Sequence, residues 1–260
     1  MLILKASFLA ILQALTEFLP ISSSGHLIML QKIFNLTDFD LTFDVLLHFG
    51  SALALIILFY KDWVKIFKDG VKDFKKSLLL KIIIALVPAV ILGFILDKLK
   101  LPFWHATPLI VFNLIFFGLI LWLADKQKGK GTISSFNWQQ IILIGLFQAL
   151  ALFPGVSRSG ITISIALFLG LSRAESARFS FLLATPAILG ATILELKDFT
   201  DISINLIWPY IIGLIISFMA SYVIVAWFLN YLKNNRLWPF ALYRLILGLI
   251  IILLLIFNLI

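Results

Sequence analysis

Long apolar runs dominate this chain of 260 residues and restrict it to folds that can exist in lipid. A helix that crosses a membrane needs roughly 20 predominantly apolar residues. Six stretches meet or approach that length, and they are residues 44–60, 78–97, 107–124, 177–196, 207–230 and 239–259. Hydrophobic residues make up 62% of the chain and charged residues only 13%, whereas about a quarter of a soluble domain is charged. The sequence therefore predicts an all-α polytopic membrane protein.

The distribution of charge indicates how the chain is oriented in the membrane. The net charge is +8, but the basic residues lie in short loops between apolar runs, which does not indicate a nucleic-acid partner. The loops 61–77, 125–138 and 231–238 are rich in lysine and arginine and fall on one side of a six-span arrangement. The positive-inside rule makes that side cytoplasmic and predicts that both termini face outward. Because the chain contains no cysteine, a disulfide framework and a thiolate metal site are excluded.

Two further apolar segments are too short and too interrupted to cross the membrane. Residues 4–34 are broken at Leu19-Pro20 and by the serines that follow, and residues 139–171 are broken at Phe153-Pro154-Gly155. Each pattern predicts two half-length helices joined by a polar turn. Irregular backbone is tolerated at membrane depth only where protein or water covers it, so each segment is interpreted as a re-entrant hairpin.

The two broken segments also resemble each other. QALTEFLPISSSG (13–25) aligns without a gap on QALALFPGVSRSG (148–160), and the helix at 43–63 aligns on 179–199. The sequence thus divides into two homologous halves, 1–130 and 131–260, each with one hairpin and three spans. Because three is an odd number, the second half must enter from the opposite side. An inverted repeat of this kind predicts a working site near mid-membrane, where the broken helices meet.

The first hairpin tip carries a carboxylate within an apolar segment. Such a group is functional by default, although Glu17 would also suit a helix end at the water boundary. Gln13 lies one turn earlier, on the same helix face. Together they offer oxygen ligands to a hard cation such as Mg²⁺ or Ca²⁺, with Gln13 the weaker candidate. A single carboxylate supplies too few ligands for a metal ion, so the substrate would have to supply the remaining oxygens.

Serines and a histidine follow at the same tip, in the order Ser22, Ser23, Ser24, Gly25 and His26. A serine becomes a nucleophile when a base removes its proton, and histidine is the usual base. The spacing places Ser23 and His26 on one helix face. The alternative is a serine-rich helix cap followed by an ordinary helical histidine, and the motif alone favours it. His48 has no such neighbours and is interpreted as a boundary residue.

The second hairpin tip, PGVSRSGIT (154–162), places Arg158 where the first has Ser23. Arginine binds phosphate oxygens with two parallel hydrogen bonds, and a turn that opens a helix adds backbone N–H groups. An arginine extending to lipid headgroups is the alternative, but the central position of Arg158 disfavours it. The tip therefore predicts an anion site. The two tips together offer the nucleophile, base, metal-binding oxygen and phosphate clamp that phosphoryl transfer requires.

The motifs Q-x-x-x-E-F-L-P-x-S-S-S-G-H and P-G-x-S-R-S-G-x-T resemble those of undecaprenyl-diphosphate phosphatases of the bacitracin-resistance type. The resemblance covers essentially the whole chain, including the closing F-A-L-Y-R at 240–244. It implies a bacterial inner-membrane enzyme that depends on Mg²⁺ or Ca²⁺ and hydrolyses the polyprenyl diphosphate to the monophosphate and inorganic phosphate. It also implies an active site open to the periplasm, recycling of the carrier lipid for peptidoglycan, and resistance to bacitracin.

The resemblance also implies roles for individual residues. Glu17 matches an acidic residue of the first motif, Ser23 the nucleophile, His26 the base and Arg158 the diphosphate-binding arginine. Positions that match substrate-binding residues are Gln13, Ser22, Ser24, Ser157, Ser159, Gly160 and Thr162. Gln13 stands where the family has glutamate or glutamine, which weakens the expectation of a second carboxylate ligand. In the resulting hypothesis Ser23, deprotonated by His26, attacks the terminal phosphorus, and direct attack by water is the alternative.

Two questions stay open at this level. Inverted repeats with broken helices are also typical of transporters, so the same site could serve a lipid-phosphate flippase. The sequence does not fix the oligomeric state, and a homodimer is one alternative. The expected partners are the polyprenyl diphosphate and the surrounding membrane lipids.

Overall fold

The computed structural model describes residues 2–34, 39, 41–99, 106–195 and 206–257. Within these ranges the chain is helical, as the composition predicts. The α-helices are α1 (Leu2–Phe18), α2 (Ser23–Phe34), α3 (Leu41–Leu58), α4 (Tyr60–Lys72), α5 (Leu78–Leu99), α6 (Thr107–Ala124), α7 (Trp138–Ala149), α8 (Arg158–Phe168), α9 (Arg173–Glu195), α10 (Ile207–Tyr231) and α11 (Trp238–Ile256). Short 3-10 helices cover Phe74–Lys76, Ile133–Ser135 and Leu150–Leu152.

Six of these helices are long and apolar enough to cross a membrane, namely α3, α5, α6, α9, α10 and α11. They confirm the number and positions of the predicted spans. The largest difference is at α9, which begins at Arg173 rather than at 177. The first turn of α9 is polar and is capped by Ser172, whose hydroxyl accepts from the Glu175 backbone N–H at 3.3 Å. A prediction based on apolar residues therefore places the start of this helix too late. The predicted ends at 196 and 259 lie outside the described residues.

The segment 61–77 was expected to be a loop, and the structure shows that this expectation is wrong. Helix α4 occupies Tyr60–Lys72, and a 3-10 turn follows at Phe74–Lys76. The lysines recur at the spacing of one helix face, at positions 61, 65, 68 and 72. An amphipathic helix of this kind carries too much charge to register as an apolar run.

The two interrupted segments break at the predicted places. Helices α1 and α2 are separated by residues 19–22, and α7 and α8 by a 3-10 turn and residues 153–157. Proline cannot donate a backbone hydrogen bond, which ends the regular helix at each break. Gly155 is needed at the second break because its φ is +91° and a Cβ would lie 2.6 Å from the Ile110 carbonyl oxygen.

Helix packing brings the two breaks together at the centre of the molecule. Helix α1 packs on α10 and α7 packs on α5, while α3 packs on α9 and α10, and α6 on α8 and α11. The Ser159 hydroxyl donates to the Leu19 carbonyl at 3.1 Å, and the Gly155 N–H donates to the Ser24 hydroxyl at 3.3 Å. Phe18 and Phe181 pack edge to face below these contacts, with ring centroids 5.6 Å apart. The two turns are therefore in direct contact.

Candidate active site

Both turns end in a serine with left-handed backbone geometry. The φ angle is 78° at Ser22 and 71° at Ser157, a region that residues other than glycine seldom adopt. Each hydroxyl accepts a hydrogen bond from the backbone N–H three residues later, at Gly25 (3.3 Å) and Gly160 (3.2 Å). The serines thus start α2 and α8 in the same way. Strained backbone of this kind is characteristic of functional sites.

Glu17 links the two tips. Its side chain is 9% exposed, and its Oε1 accepts from the Arg158 guanidinium in an ion pair across the two tips. Its Oε2 accepts from the Ser23 hydroxyl at 2.8 Å. Because a hydrogen bond to an ionised acceptor is strong, this pairing fixes the direction of the Ser23 O–H bond. The carboxylate, the serine and the arginine of the sequence analysis therefore form one connected group.

Gln13 is fully buried behind that group. Its Oε1 accepts from the Ser51 hydroxyl at 3.1 Å. The Ser217 hydroxyl lies 3.2 Å from the same oxygen but donates its proton to the Leu47 carbonyl at 2.6 Å. The expectation that Gln13 is a weak metal ligand stays a prediction. Its Nε2 lies 3.0 Å from Nδ1 of His48, and since an amide nitrogen only donates, Nδ1 accepts. Gln13 thus positions His48.

His48 belongs to the site, contrary to its interpretation as a boundary residue. Its side chain is 33% exposed, and its Nδ1 lies 3.7 Å from Glu17 Oε2. The sequence contained a signal that would have found it. In the repeat alignment the counterpart of His48 is Ala184, so the imidazole is a polar group added within a predicted span.

His26 does not hold the Ser23 hydroxyl in this structure. Its Nδ1 lies 2.7 Å from the Ser22 carbonyl oxygen and must donate to it. Its Nε2 then accepts from the Tyr243 hydroxyl, also at 2.7 Å, and the two rings stack with centroids 5.6 Å apart. The sequence placed Ser23 and His26 on one helix face. In the structure the His26 imidazole instead donates to the Ser22 carbonyl of its own turn, and the Ser23 hydroxyl donates to Glu17.

Most of the predicted hydroxyls are buried and hold the tips together. Thr162 donates to the Arg158 carbonyl at 2.7 Å and lies 2.6 Å from the Ser180 hydroxyl. Ser22 and Ser157 start the helices, and Ser159 connects the turns, as described above. Ser24, the second partly exposed serine, accepts from the opposite turn. The predicted residues that are partly exposed are Glu17, Ser23, Ser24 and Arg158.

Arg244 is the main structural residue that the sequence analysis did not place in the site. Its side chain is fully buried, and it donates to the carbonyls of Pro20 (3.5 Å), Gly155 (2.8 Å), Asn113 (3.1 Å) and Leu114 (3.2 Å). Two of these carbonyls belong to the two turns. Gly160 permits this approach, because a Cβ there would lie 2.9 Å from the guanidinium. A charged residue inside an apolar span was the signal available in the sequence.

The electrostatic balance of the cluster favours an anion. Glu17 balances Arg158, whereas Arg244 has four carbonyls and, among the described residues, no carboxylate partner. Arg158 Nη1 is buried and has no hydrogen-bond partner among those residues. A buried donor without a partner is costly, and an anionic ligand would remove that cost.

Comparison with known proteins identifies the family of the chain. The sequence model of the family described as bacitracin resistance protein BacA matches residues 6–250. The chain belongs to the BacA family. Two similar relatives in curated collections, from Elusimicrobium minutum and Trichlorobacter lovleyi, are each 40% identical over 251 and 259 residues. These alignments cover 95% of this chain in both cases, and 96% and 94% of the respective relatives. Both relatives are named undecaprenyl-diphosphatase.

The donor set of this BacA-family chain fits a divalent cation only in part. Within the described ranges no group of three or more histidine, aspartate and glutamate side chains is placed to hold a metal ion. Glu17 is the carboxylate at the tips, and its two oxygens already accept from Arg158 and Ser23. A carboxylate has further lone pairs, so it can still ligate. The remaining ligands would have to be oxygens of a bound substrate or water, because Mg²⁺ and Ca²⁺ need six or more.

Proposed function

We propose that this chain is an undecaprenyl-diphosphatase that hydrolyses undecaprenyl diphosphate to undecaprenyl phosphate and inorganic phosphate. The observation that carries the proposal is the connected group of Ser23, Glu17 and Arg158, with one guanidinium nitrogen buried and unpartnered. A hydroxyl, an acceptor for its proton and a phosphate-binding cation are the parts of a phosphoryl-transfer site. The names of the two relatives support the same reaction.

Substrate binding follows from the positive groups at the tips. Arg158 Nη1 is available to the terminal phosphate, and α2 and α8 both begin at the tips, so their N-terminal dipoles favour an anion there. Arg244 lies beneath both turns and adds an uncompensated positive charge. Buried hydroxyls stabilise this geometry, and they belong to Ser22, Ser157, Ser159 and Thr162.

The chemical step uses the hydrogen bond between Ser23 and Glu17. Ser23 Oγ attacks the terminal phosphorus while its proton passes to Glu17, and the bond from that phosphorus to the bridging oxygen breaks. Undecaprenyl phosphate leaves, and water then cleaves the phosphoserine to release inorganic phosphate. Direct attack by a water molecule that Glu17 or His26 activates is the alternative. In either route Arg158 stabilises the charge on the phosphate oxygens in the transition state.

The two histidines have distinct positions in this mechanism. His48 is held by Gln13 and packs beside Glu17, the carboxylate that receives the Ser23 proton, but its Nδ1 accepts from Gln13 and therefore donates no hydrogen bond to that carboxylate. His26 joins the start of α2 to Tyr243 of α11. Its Nε2 is reached through the half-exposed Tyr243 hydroxyl. A catalytic role of His26 would therefore require that hydroxyl to move or to relay the proton.

A divalent cation, Mg²⁺ or Ca²⁺, would be held by Glu17 together with oxygens of the diphosphate. Bound there, it would supply positive charge that neutralises the phosphates and the leaving group. The chain itself contributes the single carboxylate and the arrangement of the tips, so affinity for the cation should depend on the substrate.

The proposed topology is an inverted repeat of residues 1–130 and 131–260 with two re-entrant hairpins. Ser22 and Ser157 align in the repeat and share the left-handed φ and the same capping bond, which supports this symmetry. The packing is also reciprocal, because α1 contacts α10 and α7 contacts α5. Each hairpin thus packs on the second span of the other half.

We place this topology in the bacterial inner membrane, with the site open to the outer face and both termini outside. Asp125 joins the ends of α6, α9 and α11 by pairing with Arg173 and accepting from the Trp238 N–H at 3.1 Å. Asp62 of α4 pairs with Arg178 of α9. These contacts support a common side for the three lysine-rich segments. A site open to the outer face would convert undecaprenyl diphosphate to undecaprenyl phosphate there, which recycles the carrier lipid of envelope polymers. This recycling would confer bacitracin resistance.

The test is release of inorganic phosphate from undecaprenyl diphosphate by the purified chain in detergent. We expect turnover by the wild type, with kcat/KM about 10²- to 10³-fold lower for Ser23→Ala and for Arg158→Lys. Ser134→Ala and Arg236→Lys, which change exposed residues of the same types, serve as matched controls and should not differ from wild type.

Detergent also separates the phosphatase from a flippase, because transport requires two compartments. Lipid movement in vesicles without phosphate release in detergent would reject the enzyme and favour the transporter. Nearly full activity of Ser23→Ala would reject the phosphoserine step and leave attack by water.

A further inference from the structure

Helix α4 has three distinct faces. It lies between two spanning helices, α3 and α5, and begins one residue after α3 ends at Leu58. Projection at 100° per residue separates a buried face, an exposed apolar face and a basic face. The buried face fixes α4 to the rest of the protein. The exposed apolar face and the basic face are available to molecules outside the chain.

The buried face is short and well anchored. Ile66 and Gly70 are its buried residues, and Ile66 belongs to the main hydrophobic core. Gly70 lies so close to α5 that a Cβ would be 2.8 Å from the Leu79 side chain. Asp62 pairs with Arg178 at the start of α9. The rotation of α4 about its own axis is therefore set by the protein.

The apolar face points away from the protein. Tyr60, Phe67 and Val71 lie at i, i+7 and i+11 on this face and are 63%, 54% and 92% exposed. Phe74 continues the apolar surface in the next turn and is also exposed. A contiguous exposed apolar stripe in water would be an aggregation liability, so its presence indicates a surface that is covered by other molecules.

The basic face lies beside the apolar face. Lys61, Lys65, Lys68 and Lys72 follow one another at helical spacing, and Lys75 and Lys76 extend the patch beyond the helix. Against these six lysines the segment 60–76 has three aspartates, one of which is paired with Arg178. The patch is therefore net positive, which suits an anionic partner.

We propose that α4 lies in the membrane interface and binds anionic phospholipid headgroups of the cytoplasmic leaflet. A strongly amphipathic helix with lysines flanking its apolar face is the pattern of interfacial helices. Juxtamembrane lysines are attracted to anionic lipids, and the attraction falls off within a Debye length. A lipid surface is favoured over a protein partner because short connections of one and five residues join α4 to the spanning helices α3 and α5, so α4 must lie close to the bilayer. This inference does not depend on the chemistry proposed for the hairpin tips.

The absence of cysteine makes a site-specific test possible, because one introduced thiol can be labelled alone. Val71→Cys reports on the apolar face, and Asp69→Cys reports on an exposed polar position of the same turn. Val90→Cys, at an exposed position in the middle of α5, is the reference for contact with lipid. Each full-length variant is labelled with an environment-sensitive fluorophore and reconstituted in phosphatidylcholine vesicles with or without phosphatidylglycerol.

Two quenchers then distinguish lipid from water. With phosphatidylglycerol, we expect spin-labelled lipid to quench the label at Val71 several times more strongly than at Asp69, and iodide to do the reverse. Without phosphatidylglycerol, lipid quenching at Val71 should fall. Glutamine in place of Lys61, Lys65, Lys68 and Lys72 should produce the same fall, whereas quenching at Val90 should stay constant and show that the variant is inserted.

Three results would overturn the proposal. Equal access of iodide to Val71 and Asp69 would place α4 in water. Protection of Val71 from both quenchers would mean that a protein surface covers it. Identical lipid quenching with and without phosphatidylglycerol would show that lipid charge is not recognised.

Discussion

Replacement of Arg244 by lysine should lower the stability of the protein while leaving its charge unchanged. The guanidinium reaches four carbonyls through three different nitrogens. A lysine carries its donors on a single nitrogen and cannot reproduce this fork. Because the positive charge is kept, the substitution isolates the geometry of the hydrogen bonds from the electrostatics of the site.

The expected loss follows from which carbonyls depend on Arg244. Those of Asn113 and Leu114 belong to α6, where they can also accept from the helix backbone. Those of Pro20 and Gly155 lie in the two turns, where the described residues provide them with no other donor. A buried carbonyl that loses its partner costs about 1–3 kcal/mol, so two of them predict a loss of about 2–6 kcal/mol.

Unfolding in dodecyl maltoside micelles by added dodecyl sulfate, followed by circular dichroism, measures this change. Arg236→Lys is the matched control, because Arg236 is exposed and should change the free energy of unfolding by less than about 0.5 kcal/mol. If Arg244→Lys unfolded at the same dodecyl sulfate concentration as the wild type, with unchanged turnover, the two turns would not depend on the guanidinium fork and the reasoning would fail.

Three residues and the metal give further expectations. Tyr243→Phe removes the hydroxyl that donates to the imidazole of α2, and kcat should fall by about 3- to 10-fold because the start of α2, which carries Ser23, loses a contact with α11. Tyr222→Phe on α10 should not change kcat, and equal rates of the two variants would show that the bond does not position Ser23. His48→Ala should lower kcat without changing elution in gel filtration, because it removes the neighbour of the catalytic carboxylate; a wild-type rate would count against a positioning role. Gly50→Ala should lower the free energy of unfolding by about 1–3 kcal/mol in the same assay, because its Cβ would lie 2.7 Å from a backbone carbonyl of α10. The control Gly190→Ala places its Cβ in open space and should not lower that free energy. A chelator should abolish phosphate release, and Mg²⁺ or Ca²⁺ should restore it; full turnover in the chelator would reject the cation.

The sequence predicted the elements of this protein well because each has a local signal. Six apolar runs of sufficient length became six helices, and the proline-containing breaks fell where the two polar motifs interrupt an apolar segment. Glu17, Ser23 and Arg158 could be brought together before any coordinates were known, because the internal alignment placed both motifs at equivalent tips. Pattern and repetition were sufficient for that level of detail.

Other parts of the site depend on tertiary contacts, and a polar residue within an apolar span indicates importance without indicating which residues it meets. His48 and Arg244 come from α3 and α11, and only helix packing places them at the tips. The pairing of His26 with Tyr243 spans 217 positions, so spacing within the first motif could not reveal it. The spacing correctly placed Ser23 and His26 on one helix. The direction of each side chain, however, depends on its hydrogen-bond partner, which is Glu17 for Ser23 and Tyr243 for His26.

The position of Arg244 in the last helix has a consequence for biosynthesis. In both turns a carbonyl accepts from the Arg244 side chain, which leaves the ribosome only after the five preceding spans have been synthesised. Helices α1 and α2 and the turn between them therefore lack this contact until α11 is inserted. A nascent or truncated chain that ends before α11 lacks the residue that joins the two turns, so the onset of activity should require the synthesis of α11.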